Sequence, residues 1–391
     1  MINITMELGY VLNSIIEDIK LNAPDNPSKQ PHEIVWAFQE AAKRINSGFI
    51  NKDSSILVYN MKCWVDVPDS SLKIFLRYAL EAYLNDPLAA TEKKKLEDLI
   101  KQFPYSALER FPEQSKDKIN FENGTLNLTD GKLYKHDRND FFRYVLPYDY
   151  DPKAKCPMFE KYLSEVLPER EERMAIAEYI GYLFTSLKLE KVLFLYGAGL
   201  NGKSVLVDII EALLGKENIS HESLSDMCGD NGSNSRSNLV AKLLNTCSDV
   251  SAKAFQGDVF KRLASGEPIS FKILYKDVNT STDYAKQLFC LNELPRTSDT
   301  SNGYFRRFLI APFLIQIPKE KINPKLASTI ISSELPGIMN WVLQGRERLL
   351  KQNAFTESKA MTKALENYKS QYTTERKKGN SLLLPPFYNN V

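Results

Sequence analysis

The stretch Lys191–Leu214, KVLFLYGAGLNGKSVLVDIIEALL, constrains the fold more than any other part of the chain. Val192–Tyr196 is an apolar run without a charge, the pattern of a strand buried on both faces of a parallel sheet. From Gly197 the spacing G-x-x-x-x-G-K-S is complete, so successive backbone N–H groups can turn inward on a phosphate where side chains would block them. Leu206, Ile209, Ile210, Leu213 and Leu214 then recur at helical spacing until Gly215 stops the helix. Strand, loop and helix N-terminus meet at one anion site. The pattern predicts that Gly197, Ala198, Gly199, Leu200, Asn201, Gly202, Lys203 and Ser204 hold a nucleoside triphosphate, with Lys203 on the β and γ phosphates and the Ser204 hydroxyl on Mg²⁺.

Composition bounds what surrounds this site. With 391 residues and 43% hydrophobic content the chain can build two or three packed domains. Lys and Arg number 51 against 49 Asp and Glu, so any contact with nucleic acid has to come from local placement of charge. The cysteines, Cys63, Cys156, Cys228, Cys247 and Cys290, form no C-x-x-C pair, which argues against a zinc ribbon or a disulfide framework and fits a reducing cytosol. A basic stretch followed by an apolar core is missing from the first residues, and no apolar run reaches the length of a membrane span. The expectation is a cytoplasmic protein of the host cell.

Taken in order, Leu8, Val11, Leu12, Ile15, Ile16 and Ile19 predict an amphipathic helix that ends before Pro24, Pro27 and Pro31. Ile34, Phe38, Ala41 and Ile45 predict a second helix, Ser55–Val67 a hairpin turning at Asn60-Met61-Lys62, and 70–84 and 90–103 two more helices. The Lys93-Lys94-Lys95 run reads as a solvated helix face without a function. From Lys116 the turn sequences Glu122-Asn123-Gly124 and Asp130-Gly131 flank short β signals, and helices follow around 159–166 and 171–187. The expected division is 1–115, mainly helical with a hairpin; 116–187, small β plus helices; 188–316, the ATPase core; 317–370, a helical lid; and 371–391, a mobile tail.

Several segments together resemble a known family. Phe121-Glu-Asn-Gly-Thr-Leu126, the Tyr150-Asp-Pro run with Cys156-Pro157, the Gly197–Ser204 loop, Leu291-Asn-Glu-Leu-Pro295, Arg306-Arg307 and Leu335-Pro-Gly-Ile-Met-Asn-Trp341 are similar to the helicase part of phage and plasmid primase-helicases. Those proteins belong to helicase superfamily 3, alongside the poxvirus primase-helicase. The resemblance runs from about Lys116 to Lys369. It implies an α/β fold: an AAA+-like P-loop NTPase core, with a helical and small-β region before it and a helical lid after it. It implies an ATP-dependent DNA helicase of a phage, plasmid or integrated element.

The resemblance also carries over individual roles. The apolar run Val240–Asp249 leads to Asp249, which it makes the acid that holds Mg²⁺ and aligns water, although the family often has two acids there and this chain has Ser248-Asp249. Asn292, at the end of the predicted strand 287–292, matches the family's sensor asparagine beside the γ-phosphate. Arg306 and Arg307 are expected on an apolar strand, YFRRFLIAPF, where neighbouring side chains diverge so that one can enter the next subunit's nucleotide. That arrangement implies a ring, typically a hexamer. Lys272, Tyr275 and Lys276 on a hairpin are expected to face a central channel and hold a single DNA strand. The pair Asp149-x-Asp151 falls in a segment that is not the family's polymerase domain, and a separate primase or replication protein is the expected partner. Two other classes share the loop: a nucleotide-dependent scaffold or loader that unwinds little, and a small-molecule kinase. A DNA-stimulated ATPase assay separates these readings.

Overall fold

The computed structural model describes residues 4–107, 111–112, 114–229, 231–248, 258–273, 277–295, 299 and 301–380, without the side chains of 4–6 and 372–380. Contacts divide the chain into two units, Met1–Val145 and Leu146–Val391. The division falls inside the 116–187 stretch, whose β part belongs to the first unit and whose helices belong to the second.

The first unit runs α1 (Ile4–Leu21), α2 (Pro31–Arg44), β1 (Phe49–Lys52), β2 (Ser55–Tyr59), β3 (Trp64–Asp66), α3 (Asp69–Leu84), α4 (Lys93–Ser106), β4 (Lys118–Phe121), β5 (Gly124–Asn127) and β6 (Lys132–Tyr134). Its core is the meeting of apolar stripes at helical spacing: Val11 and Ile15 of α1, Phe38 and Ala41 of α2, and Phe75 and Leu76 of α3 are all buried together. Strands β1-β2-β3 and β4-β5-β6 form two antiparallel sheets. Strand β1 is a third strand where a two-stranded hairpin was expected. The turn that joins it to β2 is Asp53-Ser54, both at positive φ, so it lacks the glycine that usually marks such a turn.

The second unit runs α5 (Pro157–Val166), α6 (Arg170–Tyr182), β7 (Val192–Tyr196), α7 (Lys203–Leu214), β8 (Ile219–Ser220), α8 (Leu224–Cys228), α9 (Gly232–Ser237), β9 (Leu244–Cys247), α10 (Asp258–Ser265), β10 (Ile269–Lys272), β11 (Val278–Ser281), β12 (Lys286–Leu291), α11 (Asn302–Phe305), β13 (Phe308–Pro312), α12 (Leu326–Gln352) and α13 (Lys359–Asn380). Five strands form a sheet in the order β13-β7-β12-β9-β8, and every neighbouring pair is parallel. This is the mixed α/β architecture with a parallel sheet that the sequence pattern predicts.

Both faces of the sheet are covered, as an all-parallel sheet requires. On one face Val192, Phe194, Phe289, Phe308 and Ile310 pack with Phe260, Tyr304 and Tyr368 from α10, α11 and α13. Phe194 and Phe308 stack at 4.5 Å between ring centres. The alternate residues Leu193, Leu195 and Leu288 point the other way and are equally buried. There α6 reaches the sheet through Tyr179, whose hydroxyl donates to the Gln287 carbonyl at 2.5 Å. Helices α6 and α12 approach closely enough that a Cβ on Gly345 would lie 2.6 Å from the Ala177 carbonyl oxygen, so only glycine fits. Helix α6 ends at Tyr182, short of the expected Leu187, because the chain tightens into a turn that Thr185 closes on the Tyr182 carbonyl. Helix α13 continues past Ser370 to Asn380, into the stretch expected as a mobile tail. Among the described residues no helix is long and apolar enough to cross a membrane.

Candidate nucleotide site

The sequence 197–204 leaves the sheet at the carboxyl end of β7 and returns as the first turn of α7. The Gly197 N–H donates to the Leu291 carbonyl at 3.1 Å, so the loop starts beside the end of β12. A Cβ on Gly197 would sit 2.2 Å from Asn201 Nδ2 and 2.3 Å from the Phe313 carbonyl oxygen, which explains why glycine stands first. Gly199, Leu200 and Gly202 all have positive φ, 100°, 52° and 86°, the kind of reversal that lets backbone N–H groups converge on an anion. Leu200 adopts the left-handed conformation without being glycine, a local strain of the kind found at binding loops. Its carbonyl is held by the Ile317 N–H at 2.8 Å. Behind the loop the Tyr162 hydroxyl of α5 donates to the Gly202 carbonyl at 2.7 Å. Helix α5 is itself fixed by α12, because Glu334 accepts from the N–H groups of Met158 and Phe159 at 3.0 and 2.9 Å, a carboxylate on a helix N-terminus.

Lys203 opens α7 and is 5% exposed. Its ammonium donates to the Gly197 carbonyl, to Asn201 Oδ1 at 3.1 Å and to Asn292 Oδ1 at 3.5 Å. Burial lowers its pKa below the usual lysine range. The Asn201 amide also donates to the Phe313 carbonyl at 2.9 Å, so this side chain braces the loop against the end of β13. Ser204 lies next to Lys203 with its hydroxyl in an exposed position, and a hard oxygen donor there fits Mg²⁺.

The structure thus brings the 197–204 loop and Asn292 together at the carboxyl edge of a parallel sheet, where α/β folds place their ligands. Strand β9, beside β12, leads toward Asp249, which lies outside the described residues. Lys272 is exposed at the end of β10, which pairs with β11 as a hairpin, and Tyr275 and Lys276, between the two strands in sequence, also lie outside the described residues.

Arg306 and Arg307 are not on a strand. They form a turn between α11 and β13, because the Arg306 N–H still bonds back to the Asn302 carbonyl and the ladder with β7 begins only at Phe308. The Val192 N–H bonds to the Arg307 carbonyl at 2.8 Å, which fixes both arginines at the amino edge of the sheet. Strand β7 has five residues, about 16 Å at roughly 3.3 Å per residue, and it separates them from the loop of the same chain. The two side chains do diverge. Arg306 is 60% exposed and pairs with Glu190, whereas Arg307 is 10% exposed and donates to the Gly303 carbonyl and, at 3.0 Å, to Ser265 Oγ. Glu190 lies at 3.8 Å from Arg307 as well, and its own φ is +53°. Lys191 donates to the Arg306 carbonyl at 2.6 Å, and its pKa is lowered by burial and then by the charges of Lys369 and Arg306. Sequence reasoning passes over Glu190 and Tyr162. Each acts through a partner distant in the chain, and no local pattern marks either.

Residues 31–168 match the family described as D5 N terminal like, and residues 195–307 match a family of unknown function, DUF5906. A relative from Acanthamoeba polyphaga mimivirus, "Putative helicase L207/L206", is 24% identical over 211 residues, which are 51% of this chain and 22% of that protein. The chain therefore spans about a fifth of that relative's length. Among solved structures, the apo structure of the NrS-1 C terminal region (305-718) superposes with a TM-score of 0.53 at 12% identity, over 85% of this chain and 76% of that one. The A form of the same apo region gives 0.52 at 12% identity, over 85% and 74%. This likeness speaks for the fold.

Proposed function

From a chain that belongs to the D5-like primase-helicase family, we propose an ATP-dependent DNA helicase with a P-loop NTPase core that hydrolyses ATP between the subunits of a ring. The observation that carries this reading is the position of the Lys203 ammonium, within reach of both the Gly197–Ser204 loop and the Asn292 amide at the carboxyl edge of the sheet. On binding, the β and γ phosphate oxygens take the place of the Gly197 carbonyl and the amide oxygens around Lys203. The N–H groups of the loop after Gly197, whose own N–H is held by Leu291, share the remaining charge. Ser204 and Asp249 would hold Mg²⁺, which supplies neutralisation of the β and γ oxygens. Asn292 then orients a water in line with the γ-phosphorus. The new O–P bond forms as the bond to the bridging β–γ oxygen breaks, with ADP as leaving group and the water protons remaining with the released phosphate and solvent.

Arg306 and Arg307 sit at the opposite edge of their own sheet, so in this reading whichever of them meets the phosphate does so in a neighbouring subunit. Exposure favours Arg306 as that residue, and the buried bonds of Arg307 favour a role as its internal support. Such a trans contact contributes roughly 10³–10⁵ in rate in well-studied NTPases. A hexameric ring with one DNA strand in its channel, held through Lys272, Tyr275 and Lys276, is the assembly that this geometry suits, with a separate primase or replication protein as partner. The test is ATP turnover by the parent and by Lys203→Ala, with and without single-stranded DNA, beside native mass measurement and a forked-DNA unwinding assay. DNA-stimulated turnover and unwinding that vanish in Lys203→Ala are expected. Unchanged turnover in that variant would refute the site.

A further inference from the structure

The chain enters β7 through Leu189, Glu190 and Lys191, and the segment is fastened at both ends. The Leu189 N–H donates to the Tyr182 hydroxyl at 3.0 Å, which ties it to the end of α6. On the other side Lys191 Nζ donates to the Arg306 carbonyl at 2.6 Å, and the Val192 N–H to the Arg307 carbonyl at 2.8 Å. Glu190 lies between these anchors with a φ of +53°, a left-handed conformation that residues other than Gly, Asn, Asp and His seldom adopt. Such a residue stays there only where its surroundings over-determine it, and these outliers gather at switches and ligand clamps.

What the strained backbone delivers is a carboxylate. Glu190 Oε2 accepts from Arg306 Nη2 at 2.5 Å and lies 3.8 Å from Arg307 Nη2. Among the described residues it is the one carboxylate that meets either guanidinium. Positive charge is in excess around it, since Lys369 and Arg306 both act on the buried ammonium of Lys191. The two arginines depend on Glu190 unequally. Arg307 is fixed by its bonds to the Gly303 carbonyl and Ser265 Oγ, whereas the exposed guanidinium of Arg306 has, among the described residues, Glu190 as its one partner. With the main chain of the turn bonded to Lys191 and Val192, the Arg306 side chain can swing away while the turn stays in place.

We propose that Glu190 is a positioning residue that holds Arg306 in place of a phosphate and yields it when a neighbouring subunit presents its nucleotide. The proposal rests on the reading of Arg306 as an arginine that acts in a neighbouring subunit, and adds the group that restrains it. Carboxylate and phosphate are equivalent partners for a guanidinium, since both accept charge-assisted hydrogen bonds from its planar fork. The carboxylate of the same chain therefore competes with the phosphate of the next one, and each engagement of Arg306 displaces Glu190. An exposed ion pair is weak, so the restraint is worth a few-fold in rate and gives way to a well-seated nucleotide. Glu190 thus damps hydrolysis at interfaces that are not fully closed.

Two substitutions keep the left-handed backbone: Glu190→Asn, which removes the charge, and Glu190→Asp, which retains it. Steady-state ATP turnover is measured without DNA for the full chain, for both variants, for Arg306→Ala and for the Glu190→Asn, Arg306→Ala double variant. Melting curves and native mass verify fold and assembly. Glu190→Asn is expected to lower KM and raise kcat, for a gain of at least threefold in kcat/KM, and Glu190→Asp to return both toward the parent. On the residual turnover of Arg306→Ala the Asn substitution should have no effect, because Glu190 acts through that arginine. A lower melting temperature with parental kcat and KM in Glu190→Asn would make the pair merely structural and overturns the proposal. A fall in kcat/KM overturns it too, since Glu190 would then support Arg306 instead of competing for it, as does a gain that persists in the double variant. An inactive Arg306→Ala beside a kinetically parental Glu190→Asn defeats the restraint alone. Parental turnover in Arg306→Ala defeats the arginine reading, and the restraint with it.

Discussion

Replacing Gly197 with alanine tests the loop at its tightest point. The new Cβ would stand 2.2 Å from Asn201 Nδ2 and 2.3 Å from the Phe313 oxygen, where ordinary contacts begin at 3.4 Å. More than 1 Å of movement is needed. The Phe313 oxygen belongs to the backbone just past β13, whose N–H is fixed to the Tyr196 carbonyl at 2.7 Å, so the Asn201 side chain is the group that yields. Its departure removes the 2.9 Å bond to Phe313 and the 3.1 Å bond from Lys203. A buried carbonyl left without its donor costs about 1–3 kcal/mol. Overpacking adds about 1–3 kcal/mol more. Gly197→Ala should therefore lose about 3–4 kcal/mol on denaturant unfolding and more than tenfold in ATP affinity by calorimetry. Gly199→Ala is the control: nothing lies within 4 Å of its Cβ, and only its φ of +100° is penalised, by about 1–2 kcal/mol. Parental stability and affinity in Gly197→Ala, or a larger loss in Gly199→Ala, would refute the packing argument.

The two arginines should separate. Arg306→Ala, exposed and in one surface ion pair, is expected to keep stability within about 0.5 kcal/mol yet lose hydrolysis, which returns in part when it is mixed with Lys203→Ala. Arg307→Ala, buried among bonds to Gly303 and Ser265, should cost about 2–3 kcal/mol in unfolding; equal stabilities for the two variants would contradict this division. The Lys272→Ala, Lys276→Ala double variant should leave basal ATP turnover near the parent's and flatten the salt dependence of single-strand binding, by about 0.7 in log–log slope for each phosphate no longer neutralised. Unwinding of forked DNA at the parental rate would remove the hairpin from the DNA path.

What can be read ahead of the structure follows from how local each signal is. The strand Val192–Tyr196 and the helix to Leu214 are legible to the residue because burial on both faces, a glycine break and a helical stripe all lie within one short segment. Asn292 is placed by a motif, and its approach to Lys203 arises only because β12 and β7 are neighbours in the sheet. The arginine turn reads as strand: Tyr304 and Phe305 are as apolar as Phe308–Pro312, and nothing in YFRRFLIAPF shows that the first two side chains belong to a helical turn capped by Ser301. Strand β1 escapes for the converse reason, a turn without glycine. The braces on the loop, Tyr162 to Gly202 and Glu334 to α5, join residues far apart in the chain, which periodicity cannot register. The candidate site is legible where a motif is contiguous, and its structural support is not.

Glu172 ties pH to the anchoring of α13. It is 2% exposed at the start of α6, and one carboxylate oxygen is buried without a hydrogen-bond partner. Burial, then repulsion from Glu169, raises its pKa from 4.5 to about 7. The folded state therefore holds this proton more tightly than the unfolded chain. The stabilisation is whole below about pH 4.5 and is lost as pH rises through about 7. At about 1.36 kcal/mol per pH unit the interval amounts to about 3 kcal/mol. Glu169, whose charge opposes that of Glu172, is the same carboxylate that accepts from Ser358 and Ala360, so ionising Glu172 sets two carboxylates against each other at the base of α13. Glu172→Gln retains the shape and removes the titration. Calorimetric melting between pH 5 and pH 8 should show the parent losing stability relative to Glu172→Gln, with the gap approaching about 3 kcal/mol at the upper end. The result that would defeat this account is a pair of profiles that stay parallel across the range, because a carboxyl ionised in both states leaves nothing for the substitution to relieve.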